Sequence, residues 1–241
     1  MTVILAWFAT LDWHAILQII LIDILLGGDN AVIIALACRK LPPRQRRLGV
    51  IWGAAGAIAL RVILITVAVA LLQVPLLKLV GGVLLLWIGV KLLAPADDGH
   101  HHANLHASDK LLAAIKTIIV ADFVMSLDNV VAIAGVAEHA DPGHRTGLIV
   151  FGLLVSVPFI VFGAQIILRL LDRFPVIVTA GAALLGWIAG GLIAGDPMLE
   201  AALPSKATAH YVASVAGAML VVAVGRWLAH RRGATGSPAR P

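Results

Sequence analysis

Apolar stretches bounded by charge, proline or glycine recur along this chain, at about residues 13–37, 48–72, 75–94, 112–137, 146–170, 174–195 and 207–229. Several reach the eighteen or more predominantly apolar residues that a hydrocarbon layer of about 30 Å demands of a helix. The expected fold is therefore an all-α membrane protein with seven transmembrane helices. Composition agrees: 61% of residues are hydrophobic, 13% are charged, and the mean hydropathy is +1.00. Those values exclude a secreted soluble enzyme, a DNA-binding module and a disordered hub.

A net charge of +5 and a pI near 9.9 suggest nucleic acid in a soluble chain. Here Lys and Arg sit in short caps between apolar runs, where they orient helices, so the partner is a lipid bilayer and no nucleic acid is expected. Segments 38–47, 91–116, 169–173 and 226–240 hold fourteen basic residues, against Lys78, Arg145 and Lys206 on the other side. The positive-inside rule then puts the N-terminus outside and the C-terminus in the cytoplasm, with the chain in the cytoplasmic (inner) membrane. The segment Met1–Leu11 lacks a basic n-region and a small-x-small cleavage site, so no removable signal peptide is expected. The single cysteine, Cys38, allows no internal disulfide and no CxxC metal site.

Displacing the chain on itself by 99 residues superposes Ile19-Ile20-x2-Asp23-x5-Asp29-Asn30-x-Val32 on Ile118-Ile119-x2-Asp122-x5-Asp128-Asn129-x-Val131. Apolar coincidences carry no weight in such a chain; two Asp and one Asn at identical spacing do. At a displacement of 100, Trp87-Ile88 also falls on Trp187-Ile188. Each copy covers three spans, over residues 1–94 and 112–195, separated by a cytoplasmic loop at 95–111 and followed by an unmatched seventh helix at 207–229 and a cytoplasmic tail at 230–241. An odd number of crossings per copy makes this a 3+3 inverted repeat, an architecture of secondary transporters whose substrate site lies near the midplane.

Of the thirteen acidic residues, only Asp23, Asp29, Asp122 and Asp128 fall well inside the expected spans. Each costs about 2.5–3.5 kcal/mol at a helix centre, so the four together cost on the order of 10–14 kcal/mol before compensation. A polar network that merely pins two helices together is served by Ser or Asn at smaller cost. Repeated acids point to ion handling. At about 100° per residue, Asp23 and Asn30 share one helix face, as do Asp122 and Asn129, while Asp29 and Asp128 lie about 120° away. Unwinding at Gly27-Gly28 would turn both acids of the first copy toward one cavity; Ser126-Leu127 at the matching positions makes unwinding of the second copy less secure.

Carboxylate and amide oxygens are hard donors, suited to Mg²⁺, Ca²⁺ or Mn²⁺. The expected metal ligands are Asp23, Asp29, Asn30, Asp122, Asp128 and Asn129. Met125 is either a packing residue or an additional soft ligand that favours Mn²⁺ over Ca²⁺. Arg61, the one basic residue deep in a span, aligns with Ile160 in the second copy. It is a counter-ion to the carboxylates, either fixed, snorkelling, or substituting for a departing metal. The loop sequence Asp97-Asp98-Gly99-His100-His101-His102, continued by His106 and Asp109, is either a metal-collecting segment or a solvated linker.

These residues give the chain a resemblance to the TerC family of integral membrane proteins, in particular its YjbE-type branch. Carrying it are Gly28-Asp29-Asn30-Ala31, Ser126-Leu127-Asp128-Asn129, Trp52-Gly53 with Arg61, and Val80-Gly81-Gly82 followed by Leu85-Leu86-Trp87, within about residues 10–230. The resemblance implies seven helices, kinship with the lysine-exporter superfamily, and a family linked to manganese efflux and, historically, tellurium resistance.

The expected function is export of a divalent metal cation, Mn²⁺ first, through the midplane Asp/Asn site. Moving two charges outward against an inside-negative potential costs about 4.6 kcal/mol per 100 mV, so exchange for protons is the natural drive. The transported ion apart, no cofactor is expected, and oligomer formation is left open. Alternatives are an exporter of a small organic solute such as an amino acid, and an accessory membrane subunit without transport. No enzymatic activity is expected: Leu26-Gly27-Gly28-Asp29 lacks the GxGD spacing of an intramembrane aspartyl protease, and the absence of a Walker A motif argues against ATP-driven transport by this chain alone.

Overall fold

The computed structural model describes residues 13–72, 74, 76–94, 107–137, 145–200 and 205–235. These residues form helices joined by short connections, with no β-strand among them. In chain order the helices are α1 (Trp13–Leu26), α2 (Gly28–Cys38), α3 (Pro43–Leu72), α4 (Leu77–Leu93), α5 (Ala107–Ala137), α6 (Arg145–Arg173), α7 (Pro175–Ala194), the short α8 (Pro197–Glu200) and α9 (Lys206–Thr235). His100, His101, His102 and His106 lie outside the described residues.

Four of these helices are long and apolar enough to cross a membrane, over Pro43–Ile65, Ile149–Arg173, Pro175–Ala194 and Ala207–Arg231. The pair Ile16–Leu25 and Gly28–Cys38, bent by 49° at the break between them, makes a fifth candidate span when the two are taken together. α4 has only 17 residues, and α5 carries Asp109, Lys110, Lys116, Asp122 and Asp128 along its length. The outward faces are apolar: Leu25, Trp52, Ile63, Val80, Phe159 and Phe162 are all exposed, as a lipid-facing surface requires.

The observed helices overrun the expected spans where charged residues continue the helical backbone beyond the apolar run. α3 begins at Pro43 rather than 48, α5 takes residues 107–111 from the loop, and α9 extends to Thr235, into the expected tail. Hydropathy marks the part of a helix that meets hydrocarbon, not the ends that stand in water. The expected single helix over 13–37 is two helices. A Cβ at Gly27 would lie 2.3 Å from the Asp23 carbonyl oxygen, so the local backbone admits only glycine.

The two sequence copies pack in exchange. The first span of the first copy, α1 and α2, lies against α6; the first helix of the second copy, α5, lies against α3. Glycine makes both approaches close. A Cβ at Gly53 would meet Ile118 Cδ1 at 2.5 Å, and one at Gly152 would meet Ile19 Cγ2 at 2.6 Å. Those residues are themselves equivalent at the displacement of 99. α4 and α7, the third helices of the copies, also pack together, and α9 covers them both. On α7, Gly186 and Gly190 face the backbone of α9 so closely that a Cβ at either would fall 2.4 Å or less from a carbonyl oxygen, of Gly217 or Ala213. Small residues at four-residue spacing bring helices together in lipid, where apolar burial supplies little drive.

Polar side chains close the ends of the bundle. Asp196, fully buried, accepts from the backbone N–H of Leu79 at 3.2 Å and of Met198 at 3.1 Å, and so caps α4 from a distant part of the chain. At the other end of α4, Arg39 Nη2 donates to Leu92 O at 3.0 Å and Lys40 Nζ to Ala94 O at 2.7 Å. Cations at helix C-termini satisfy free carbonyls and oppose the negative end of the helix dipole.

Candidate ion site

Asp23 comes from the last turn of α1, Asp122 from α5 and Arg61 from α3, and all three are buried. Arg61, 1% exposed, spans the two carboxylates. Its Nη1 donates to Asp23 Oδ1, its Nη2 to Asp122 Oδ1 at 2.6 Å, and its Nε to Ser126 Oγ at 3.2 Å. Two hydroxyls complete the network. Ser126 donates to Asp122 Oδ2 at 3.1 Å, one turn along α5, and Ser156 of α6 donates to Asp23 Oδ2. Four helices thus meet in one buried cluster. With all three groups ionised, two carboxylates and one guanidinium leave a net charge of −1.

Leaving such a charge in a low dielectric is costly unless the partners are well placed, and here each carboxylate has both a guanidinium N–H and a serine hydroxyl. The repeat breaks its own symmetry to supply them. At the displacement of 99, Ser126 replaces Gly27, Ser156 replaces Ala57 and Arg61 replaces Ile160. Neither serine was among the expected site residues, because a serine in an apolar helix is ordinarily silent; the departures from the repeat at those two positions were the signal.

Asp29 stands in the first turn of α2, half-buried, where its Oδ1 accepts from the Asn30 backbone N–H at 2.9 Å. A carboxylate there opposes the positive end of the half-helix. Asn30, 4% exposed, has neither its Oδ1 nor its Nδ2 hydrogen-bonded. It lines a cavity of about 10 Å³ with Ile33, Ile34, Ala57, Ile118 and Asp122. That is about the room a single water-sized particle takes.

In the second copy α5 runs unbroken through Ser126-Leu127. The side chain of Asp128 lies outside the described residues. Asn129 is buried on the same helix. Met125 is buried in the apolar core with Ala121 and Val124. Among the described residues no three His, Cys, Asp or Glu side chains converge as a ready metal cage. What converges instead is a pair of carboxylates closed by a guanidinium, with an open amide and a small cavity beside it.

An all-helical, multi-pass membrane protein with a carboxylate pair and its counter-ion buried between helices is the class that the fold and this cluster define. The chain belongs to the TerC family of integral membrane proteins, whose family model matches residues 8–233. It is 43% identical over 186 residues to the membrane protein YjbE of Bacillus subtilis strain 168, covering 77% of this chain and 82% of that one. It is 28% identical over 178 residues to the UPF0053 inner membrane protein YgdQ of Escherichia coli K12, covering 68% and 73%. With the B. subtilis membrane protein YceF the identity is 22% over 185 residues, covering 74% and 70%. No solved structure matches the chain.

Proposed function

We propose that this chain is a secondary transporter that exports a divalent metal cation, Mn²⁺ foremost, from the cytoplasm in exchange for protons. The observation that carries the reading is the buried bridge from Asp23 through Arg61 to Asp122, which joins equivalent positions of the sequence repeat at the crossing of four helices. Ionisable groups at that depth are retained for ion pathways far more often than for packing. The available donors are carboxylate and amide oxygens of Asp23, Asp29, Asn30 and Asp122, with Asp128 and Asn129 on the second copy. Such hard ligands suit Mn²⁺ and its neighbours.

In this reading α4 and α5 also cross, giving seven spans arranged as two inverted triplets and a last helix. The N-terminus is outside and the C-terminus in the cytoplasm, following the basic residues. The membrane is the inner membrane, as for the relative YgdQ. In this conformation the cavity between Asn30 and Asp122 accommodates one water-sized particle, which favours a bare cation over an amino acid. The four aspartates provide the titratable groups that proton exchange needs.

Purified protein in proteoliposomes, with a pH gradient imposed, tests this directly. Mn²⁺ is expected to move against the direction of proton flow and to be unaffected by excess lysine or other amino acids. Amino-acid flux without Mn²⁺ flux would replace the metal reading with the organic-solute one; no flux of either would leave an accessory role.

A further inference from the structure

We infer that Arg61 is a tethered stand-in for the transported cation: guanidinium and divalent metal compete for Asp23 and Asp122, and Asn30 is the ligand that only the metal engages. The inference rests on the transport reading above and deepens it, because it says what occupies the site between turnovers and what a metal must displace.

Three observations converge. First, Arg61 occupies the space between the two carboxylates that a shared cation would take, with a different nitrogen on each, and is held from the side by Ser126. Planar bidentate donation makes guanidinium a stronger competitor for a carboxylate pair than a point charge. Second, Asn30 is buried beside Asp122 with both polar atoms unpartnered while every other polar side chain of the cluster, Asp23, Arg61, Asp122, Ser126 and Ser156, is bonded. A buried amide without partners is costly, so the guanidinium-closed arrangement leaves one group unsatisfied that a cation in the adjoining cavity would satisfy. Third, that cavity is lined by Asn30 and Asp122 together and has room for one small particle, so an ion there touches a carboxylate that Arg61 also holds.

The arrangement gives the site two mutually exclusive occupants. With Arg61 in place the carboxylates carry a net −1 with the guanidinium and are not both open to a metal; with Arg61 withdrawn the two are free to bind a dication together with the Asn30 amide oxygen. Position 61 therefore sets affinity and selectivity without being a metal ligand. Only an ion that binds two carboxylates and an amide more tightly than guanidinium binds the pair can open the site. Because the second copy has Ile160 where the first has Arg61, one guanidinium serves both halves.

The test is Mn²⁺ binding to the purified full chain in detergent, read from the loss of the free-ion electron paramagnetic resonance signal, together with thermal unfolding without metal. Arg61→Gln is expected to raise Mn²⁺ affinity by tenfold or more. Arg61→Lys keeps the charge but reaches only one carboxylate, so it is expected to raise affinity about threefold to tenfold. Asn30→Leu, of similar volume, is expected to lower affinity at least tenfold while leaving metal-free unfolding unchanged or at higher temperature. Should Arg61→Gln fail to fold, the lysine variant carries the test, since simple charge repulsion predicts no change there.

Unaltered affinity in Arg61→Lys, lowered affinity in Arg61→Gln, or an Asn30→Leu that unfolds earlier and binds Mn²⁺ normally would overturn the competition while leaving the transport reading intact. Failure of wild type and of every variant to bind Mn²⁺ would instead remove the transport reading, and the competition with it.

Discussion

Asp23 and Asp122, equivalent residues 99 positions apart in the sequence repeat, are held by opposite nitrogens of one buried guanidinium. The consequence is energetic coupling of the two halves. Neither carboxylate can change partners without altering the environment of the other.

The break that separates α1 from α2 should depend on Gly27 and not on Gly28. A Cβ at position 27 meets the Asp23 carbonyl oxygen at 2.3 Å, whereas one at position 28 meets nothing within 4 Å. Gly27→Ala is expected to cost about 1–3 kcal/mol, the usual penalty for an atom forced into filled space. Gly28→Ala, in the first turn of a helix, is expected to be neutral or to stabilise by up to about 1 kcal/mol. Thermal unfolding in detergent reads both; equal effects would mean that the bend is not fixed by the glycine.

Paired substitutions test the exchanged packing of the copies. Gly53→Ala presses on Ile118 Cδ1, the flexible end of a side chain, while Gly152→Ala presses on Ile19 Cγ2 at 2.6 Å with Ile19 Cβ at 3.1 Å behind it. Both should destabilise, Gly152→Ala the more, by about 1 kcal/mol or above. A tolerated alanine at position 152 would contradict the close approach of α6 to α1.

Much of this arrangement is legible in the sequence because bilayers impose few solutions. Long apolar runs marked the helices, and identical spacing of Asp and Asn marked the repeat and drew attention to Asp23 and Asp122. The glycine pair at 27–28 signalled a break in the first copy, and its replacement by Ser126-Leu127 signalled the continuous α5. Other features were hidden. Asp196 reads as a loop carboxylate, yet it caps α4 across 117 residues of chain, a relation that only tertiary packing creates. Ser126 and Ser156 are marked only by their departure from the repeat, and look like ordinary small residues of a membrane helix until their partners are placed beside them. Helix ends beyond the apolar runs, as at Pro43–Arg47 and in the last turns of α9, escape a reading based on apolar runs because charged residues continue the helical backbone there.

Charge, rather than shape, is the property that Asp29 and Asp128 are expected to contribute. Asn at either position keeps size and one oxygen acceptor, and at position 29 its amide oxygen still accepts from the Asn30 N–H. Asp29→Asn and Asp128→Asn should therefore fold with wild-type yield and lose Mn²⁺ transport by tenfold or more in proteoliposomes. Wild-type rates in both would assign these carboxylates to structure.

Counterflow in proteoliposomes carrying wild type or Asp122→Asn reads whether the Asp23–Arg61–Asp122 cluster handles the transported ion. The wild type should exchange external radioactive Mn²⁺ for internal unlabelled Mn²⁺ without any proton gradient, since exchange requires only that the loaded site face each side in turn. Asp122→Asn, folded as judged by monodisperse elution and thermal unfolding, should exchange at less than a tenth of that rate. Exchange by the folded variant at the wild-type rate would move the ion pathway away from this cluster.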